Sequence, residues 1–283
     1  MSKLGGLVRL MRPLNCVMMG VAVLVGAVLA SLQSLSAGWL SLAFGFFTGV
    51  TLCAAAMAIN DYYDRAIDAI NEPARPIPSG AVSPKQALAF VIALTVTGFA
   101  IAYLVSLLCL VVAVISWVIV TTYLTVGKRS GLPGNFLVSA CVAIPFIYGS
   151  VAVVNTVGLN VLFFALMAFL SNTGREITKG IVDVVGDRSE NVKTLAVRYG
   201  EKNAAVVAAV FYFLAVALTP IPWILGLVSV WFIPFVLATD AGLVICAVFL
   251  LRDHTREKAR KIKNAILMLF IVGLLAYVFG TIR

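Results

Sequence analysis

Residues 86–126 read QALAFVIALTVTGFAIAYLVSLLCLVVAVISWVIVTTYLTV and contain no Asp, Glu, Lys or Arg. As one helix at 1.5 Å per residue this run would be about 60 Å long, twice the roughly 30 Å of a bilayer's hydrocarbon. It must therefore fold back once, and the polar step at Val105-Ser106 is the expected turn. Hydrocarbon offers backbone N–H and C=O groups no partner, so both halves should be helices that satisfy those groups internally. The run is too long and too uniformly apolar for the lipid–lumen alternation of a β-barrel strand.

Similar stretches recur on both sides of it. Of the 283 residues, 62% are hydrophobic and 12% charged, against about 25% charged in a soluble domain; mean hydropathy is +1.06. The breakpoints predict an all-α, polytopic bundle of about nine transmembrane helices in a single domain over residues 1–283. The spans fall at 14–32, 39–60, 86–104, 108–126, 135–153, 159–172, 204–219, 224–249 and 264–280. The sixth and seventh are short, with ends that extend into polar segments. Further turns are expected at Asn155-Thr156-Val157-Gly158 and Thr219-Pro220-Ile221-Pro222. The first run lacks a convincing small-residue cleavage site and reads as a span rather than a removable signal. The five cysteines sit in apolar runs without ligand spacing and read as small buried side chains. A single histidine argues against a histidine-based metal site.

The charges orient the bundle. With the N-terminus inside, the loops on that side hold Lys3, Arg9, Arg12, Arg65, Arg75, Lys85, Lys128, Arg129 and the basic residues of 175–202 and 252–263. Of the 21 Lys and Arg, only the terminal Arg283 lies elsewhere. This bias follows the positive-inside rule and predicts a multi-pass cell-membrane protein whose N-terminus and charged loops are cytoplasmic. Topology and contact with anionic membrane lipid account for the net charge of +9. A nucleic-acid partner is not indicated, because no aromatic–basic surface domain could hold a strand.

Every acid except Asp240 shares that charged face, which the positive-inside rule does not require. One segment runs Asn60-Asp61-Tyr62-Tyr63-Asp64-Arg65-Ala66-Ile67-Asp68, followed by Asn71 and Glu72. The other runs from Arg175-Glu176-Ile177-Thr178-Lys179-Gly180 to Asp183 and Asp187. If the second helix continues past the membrane surface, Asn60, Asp64 and Asp68 line one stripe at four-residue steps. Like charges so spaced repel unless a cation sits among them. Mg²⁺ suits the position, because it takes oxygen ligands and bridges one or two carboxylates to phosphates. Asp183 and Asp187 repeat the step, and two stripes facing each other would hold a metal-bound pyrophosphate. A solvated acidic loop is the competing reading; the repetition in two distant loops weighs against it. Arg75 lies in the stiff turn Arg75-Pro76-Ile77-Pro78-Ser79-Gly80. Together with Lys128, Arg129, Arg175, Lys179 and Arg188 it offers forks and point charges for phosphate, although each could instead be an ordinary inside anchor.

These residues resemble the motifs of the UbiA superfamily of intramembrane prenyltransferases. The family's Asn and Asp at four-residue steps match Asn60, Asp64 and Asp68, and its Arg-Pro-x-x-Ser-Gly element matches Arg75, Pro76, Ser79 and Gly80. Its Tyr-x-x-x-x-Lys-Arg element matches Tyr123, Lys128 and Arg129. The second acidic motif matches Lys179, Asp183 and Asp187, with Gly180 where many members carry an acid. The four motifs occur in order along essentially the full chain. The segments Arg12-Pro13-Leu14-Asn15-Cys16 and 175–179 look most like archaeal members that prenylate a glyceryl lipid phosphate.

The resemblance implies Mg²⁺-dependent transfer of a geranylgeranyl group from its diphosphate to geranylgeranylglyceryl phosphate in archaeal ether-lipid synthesis. It implies Asp64, Asp183, Lys179 and Arg75 as catalytic residues. Asn60, Asp64, Asp68, Asp183 and Asp187 would ligate metal, with Glu176 a possible substitute for the acid absent at Gly180. Lys128, Arg129, Arg175, Tyr123 and Asn15 would bind phosphate, although an interfacial role for Tyr123 and a polar cap for Asn15 stay open. The partners would be an isoprenyl diphosphate donor, a lipid phosphate acceptor and membrane lipid; no obligate protein partner is indicated. Two other functions remain: polyprenyl transfer to an aromatic acceptor, and transport, for which intramembrane Asp240 could mark an ion path.

Overall fold

The computed structural model describes residues 3–31, 38–189 and 191–282, and among these the chain forms helices and turns without strands. The helices are α1 (Lys3–Met11), α2 (Pro13–Ala30), α3 (Trp39–Asn71), α4 (Pro84–Val105), α5 (Leu107–Thr125), α6 (Leu132–Val154), α7 (Leu159–Val182), α8 (Val184–Ser189), α9 (Leu195–Tyr199), α10 (Glu201–Leu218), α11 (Pro220–Ile224), α12 (Phe232–Arg252) and α13 (Arg256–Gly280). Eight stretches are long and apolar enough to cross a membrane: α2 to α6, α10 with α11, α12 and α13. The remaining long helix is α7, whose 24 residues turn polar after Leu170. The expected nine spans therefore correspond to nine long helices among the described residues. The turn after the first span lies outside them.

The turns at Ser106 and at 155–158 fall where the sequence places them. The turn expected at Thr219–Pro222 does not form. Thr219 keeps right-handed helical geometry (φ −62°, ψ −31°), and Pro220 occupies the first position of α11. A missing N–H costs nothing at a helix start. The span thus runs on to Ile224, and the reversal is made by residues 225–231, where Gly226 adopts φ +65°. The next span starts at Phe232 instead of residue 224.

The chain divides into two compact units, one of residues 1–125 and 145–157, the other of residues 126–144 and 158–283. The division falls within α6 at Pro145, which lacks the N–H that would continue the helix ladder. In the first unit α3 packs against α1, α2, α4 and α5. Its core near the charged end joins Leu10, Ala58, Ile59, Ile77, Val82, Val91 and Leu124. Ser83 and Gln86 start α4 with a reciprocal capping box. The 33 residues of α3 correspond to about 50 Å of helix, so some 20 Å must project beyond the hydrocarbon. Twenty residues from Trp39 bring the helix to Ala58, and Asn60 follows two residues later.

In the second unit α7 packs against α10 and α13, and α12 against both of those helices. The core holds Ile177, Ile181, Leu250 and Ile266 against the small stripe Ala204, Ala205, Ala208 and Ala209. Small side chains let membrane helices approach closely. Most of the polar part of α7 is buried, Lys179 excepted, and its low hydropathy hides it as a span. Asn172 and Thr173 bond to Ser139 Oγ at 3.1 and 2.9 Å, and Thr178 to Tyr212 at 2.8 Å. Thr219 Oγ1 lies 2.7 Å from Asp240 Oδ2, so this intramembrane acid has a local hydroxyl partner. Four of the five cysteines are buried and all are free.

In the first unit α2 also lies against the Pro145–Val154 part of α6, with Gly149 on the backbone of Val23 and Ala27. A Cβ at Gly149 would overlap those backbone atoms, whereas one at Gly186 meets nothing within 4 Å. Backbone overlap cannot be relieved by a rotamer change. Gly149→Ala is expected to lose about 1–3 kcal/mol, seen as a fall of several degrees in Tm, and Gly186→Ala none; equal Tm values for the two variants would refute this packing.

Candidate active site

The projecting end of α3 carries the first acidic segment. Asn60 Nδ2 donates to Asp64 Oδ2 at 3.0 Å, so these two residues form one oxygen-rich pair a helical turn apart. Asp68 lies one turn further, and its Oδ2 accepts from Arg75 Nη1 at 2.6 Å. The stripe exists as the spacing required, but its last carboxylate is engaged by arginine. Tyr62 packs beside the charged-end core and lies under the Arg65 guanidinium, 4.6 Å from its ring centre; Tyr63 contacts it edge-on. Tyr123 also packs against that core.

Arg75 sits in a chain of turns rather than a helix, as the prolines dictate. Burial works against its charge, but the hydrogen bond to Asp68 and the charges of Asp61, Asp68 and Glu72 outweigh this. Its guanidinium is held above the ordinary arginine value. Arg9 secures the same turn by donating to the Ala74 carbonyl at 3.1 Å. Asn15 Nδ2 approaches Met57 Sδ at 3.9 Å, a weak contact that places it on α2 facing α3.

Asp61 lies outside the four-residue stripe; it is buried and accepts from Arg12 Nη2 at 2.6 Å and Arg75 Nη1 at 3.5 Å. The signal was present in the spacing: Asp61, Asp64 and Asp68 stand at i, i+3 and i+7, also one helix face.

The second acidic segment belongs to the other unit. Asp183 closes α7, its N–H donating to Lys179 O at 3.0 Å, while Asp187 N donates to Asp183 O at 2.9 Å. The helical step between the two acids thus persists across the α7–α8 junction. Arg256 Nε donates to the Val182 carbonyl at 2.9 Å and fixes that junction from α13. Glu176 accepts from Arg175 at 3.0 Å and lies 3.6 Å from Lys179 Nζ. Its carboxylate is therefore set between two cations, one turn before the position of Gly180. Lys128 and Arg129 form a 3-10 turn after α5. The Arg129 carbonyl accepts from Lys193 N at 3.2 Å, tying that turn to the loop after α8.

The donor set consists of amide and carboxylate oxygens, the ligand chemistry of a hard divalent cation. Among the described residues no three His, Cys, Asp or Glu gather into a metal cage. Mg²⁺ keeps several waters and is commonly held by one or two carboxylates together with substrate phosphates.

A sequence model of the UbiA prenyltransferase family matches residues 19–277. The chain is 38% identical over 282 residues to digeranylgeranylglyceryl phosphate synthase of Natronomonas pharaonis, covering 98% of this chain and 100% of the relative. It is similar to a solved structure of digeranylgeranylglyceryl phosphate synthase in membranes, with TM-score 0.91 and 30% identity over 100% of this chain and 99% of that one. It also shares its fold with a UbiA homologue from Archaeoglobus fulgidus bound to GPP and Mg²⁺, at TM-score 0.67 and 16% identity over 98% and 99% of the two chains.

Two glycines beside the motifs behave differently. Gly131, after the Lys128–Arg129 turn, has φ +76°, and a Cβ there would overlap the Lys193 carbonyl oxygen. At Gly180 a Cβ meets Thr194 only at 3.5 Å. Gly131→Ala is expected to destabilise by about 1–3 kcal/mol through strain and overlap, and Gly180→Ala to leave Tm nearly unchanged. Thermal unfolding of the two purified variants checks this, and a stable Gly131→Ala protein would contradict the described turn.

Proposed function

The chain belongs to the UbiA prenyltransferase family, and on that premise we propose that it transfers a geranylgeranyl group from its diphosphate to the free hydroxyl of geranylgeranylglyceryl phosphate, releasing diphosphate. It is a multi-pass membrane enzyme. The observation that carries the substrate assignment is the 38% identity along nearly its whole length to a synthase of that name. The product would carry the second ether bond of an archaeal membrane lipid.

The chemistry calls for stabilising charge on the departing diphosphate and shielding an allylic cation from water. Asn60, Asp64, Asp183 and Asp187 would hold Mg²⁺, which when bound neutralises diphosphate oxygens as negative charge develops. A protein of the same fold has been solved with GPP and Mg²⁺ bound, and Mg²⁺ is the cation this reading assigns. Arg75 and Lys179 bind diphosphate oxygens as catalytic cations. Lys128, Arg129 and Arg175 supply further phosphate contacts, with Tyr123 and Asn15 as neutral hydrogen-bonding groups. Apolar helix faces accommodate the isoprenoid chains, whose burial in water-free surroundings is worth about 0.8 kcal/mol per CH₂ relative to water. The bilayer already offers much of that gain, so the protein must contribute shape. The acid-bearing loops and the N-terminus face the cytoplasm, in accord with the one-sided distribution of Lys and Arg.

Aromatic-acceptor transfer has no comparable observation behind it. Transport likewise has no comparable observation behind it; Asp240 pairs one oxygen with Thr219, and its Oδ1 is buried without a hydrogen-bond partner.

In a competition with both acceptors present, the glyceryl lipid phosphate is expected to be prenylated far faster than hydroxybenzoate or naphthoate. Preferential formation of a prenylated aromatic acid would reverse the assignment. Asp64→Asn and Asp183→Asn each keep side-chain volume and remove one charge. If that charge contributes about 3–4 kcal/mol to diphosphate departure, turnover should fall on the order of 10²–10³-fold with Tm preserved. Diphosphate release measured against Mg²⁺ concentration tests this, and near-wild-type turnover of both variants at limiting Mg²⁺ would remove these acids from the metal site.

A further inference from the structure

Asp61 has no part in the four-residue stripe, yet it is the most buried carboxylate of its segment. Its side chain is 6% exposed, while those of Arg12 and Arg75, which it holds, are 37% and 30% exposed. The contacts are Arg12 Nη2 to Asp61 Oδ1 at 2.6 Å and Arg75 Nη1 to the same oxygen at 3.5 Å; Arg75 Nη1 also reaches Asp68 Oδ2 at 2.6 Å. One buried oxygen thus anchors two guanidinium forks that come from separate elements, the α1–α2 corner and the turn after α3.

The backbone at that corner points the same way. Arg12 adopts φ 51° and ψ 70° immediately before Pro13. A residue bearing a Cβ disfavours this left-handed region, and a following proline disfavours helical geometry further. Such a conformation persists where surrounding contacts enforce it, and it clusters at functional positions. Here Arg12 is held by the ion pair to Asp61 and by backbone hydrogen bonds, its N–H donating to Arg9 O at 3.3 Å and its carbonyl accepting from Asn15 N at 2.9 Å, with Leu10 fully buried just before it. Each guanidinium has five N–H donors in a fixed plane, so gripping one edge of a fork sets the direction of the others.

We propose that Asp61 is a positioning residue that holds Arg12 and Arg75 as a matched pair of forks for phosphate oxygens. Asp68 assists by bracing Arg75. The inference rests on the prenyl-transfer reading above and adds to it the division of labour within the first acidic segment. Asp64, paired with Asn60, serves the metal, and Asp61 serves the arginines. The phosphate oxygens belong either to the diphosphate of the donor or to the monophosphate of the acceptor.

The test uses the full-length protein in lipid nanodiscs, as wild type, Asp61→Asn and Asp61→Glu. Three quantities are measured: binding of inorganic pyrophosphate with Mg²⁺, KM for donor and acceptor separately, and the Mg²⁺ concentration for half-maximal activity. Asp61→Asn should raise KM for one phosphorylated substrate at least tenfold while leaving the Mg²⁺ midpoint in place, and Asp61→Glu should recover part of the loss. Weaker pyrophosphate binding with a raised donor KM assigns the forks to the diphosphate; a raised acceptor KM alone assigns them to the monophosphate. The penalty of Asp61→Asn should shrink in an Arg12→Lys, Arg75→Lys background, because the acid then has no fork to direct. Unchanged KM values with unchanged pyrophosphate binding would overturn the proposal, as would an undiminished penalty in the double-lysine background or a loss that merely follows the folded fraction. Should Asp61→Asn fail to fold, Arg12→Lys alone must show the same KM shift, and wild-type KM values there overturn it equally. A wild-type protein that binds pyrophosphate but does not join the two substrates would refute prenyl transfer, leaving the pyrophosphate arm to judge Asp61.

Discussion

Hydrocarbon gives neither a peptide group nor a charge anything to bond to, and each feature of this protein answers that constraint. Backbone polarity is met inside helices, so the chain is helical wherever it crosses. Apart from Asp240 within α12, side-chain charge lies at helix ends and in the loops beyond them, and the proposed chemistry is placed there. Where α3 outlasts the membrane thickness it becomes a bracket, 33 residues long, that raises an Asn–Asp pair and two further carboxylates on a stiff rod. A loop could carry the same acids but would not fix their spacing.

Many polar groups kept below the surface pair locally, although Ser229 Oγ, Asp240 Oδ1 and Tyr277 OH are buried without a hydrogen-bond partner. In α7 Asn172 and Thr173 are bonded to Ser139, Thr178 to Tyr212, and Ser171 to the Met167 carbonyl. Near the charged end of the first unit the pairing is ionic, with Arg12, Arg75, Asp61 and Asp68 forming two acids and two bases in contact. Buried ion pairs are seldom a net source of stability, because desolvation offsets their attraction. Their use here is orientation: a partly exposed arginine held at one edge presents its other donors in a defined plane. In the second unit Glu176 likewise contacts two cations, Arg175 and Lys179.

Much of this was legible in order along the chain. The fold-back at Ser106 followed from length alone, since no charge-free helix of that extent fits a bilayer. The continuation of α3 past the surface followed from acids spaced for a helix. Arg75 was correctly read as a turn residue because two prolines flank it closely. Misplacement came where a local signal has two meanings. Thr219-Pro220-Ile221-Pro222 looks like a turn, but proline at the start of a helical segment extends a helix as readily as it ends one. Asp61 was missed because a strict four-residue comb selects one row of a helix face that is wider than one row.

By itself the sequence determined the class of the fold, the gathering of charge in the segments between spans, and the residue types available for metal and phosphate. Those follow from solvation, which acts on composition and period without reference to partners. Only the tertiary structure decided which acid meets which partner. Asp64 stands beside Asn60, Asp68 is drawn to Arg75, Asp61 joins two arginines distant in sequence, and Glu176 settles between two cations. All are carboxylates on helices with similar spacing, and they differ only in what the folded chain brings within hydrogen-bonding distance. Hydrogen bonds and ion pairs act over a few ångströms, so their allocation depends on coordinates that no pattern of spacing contains.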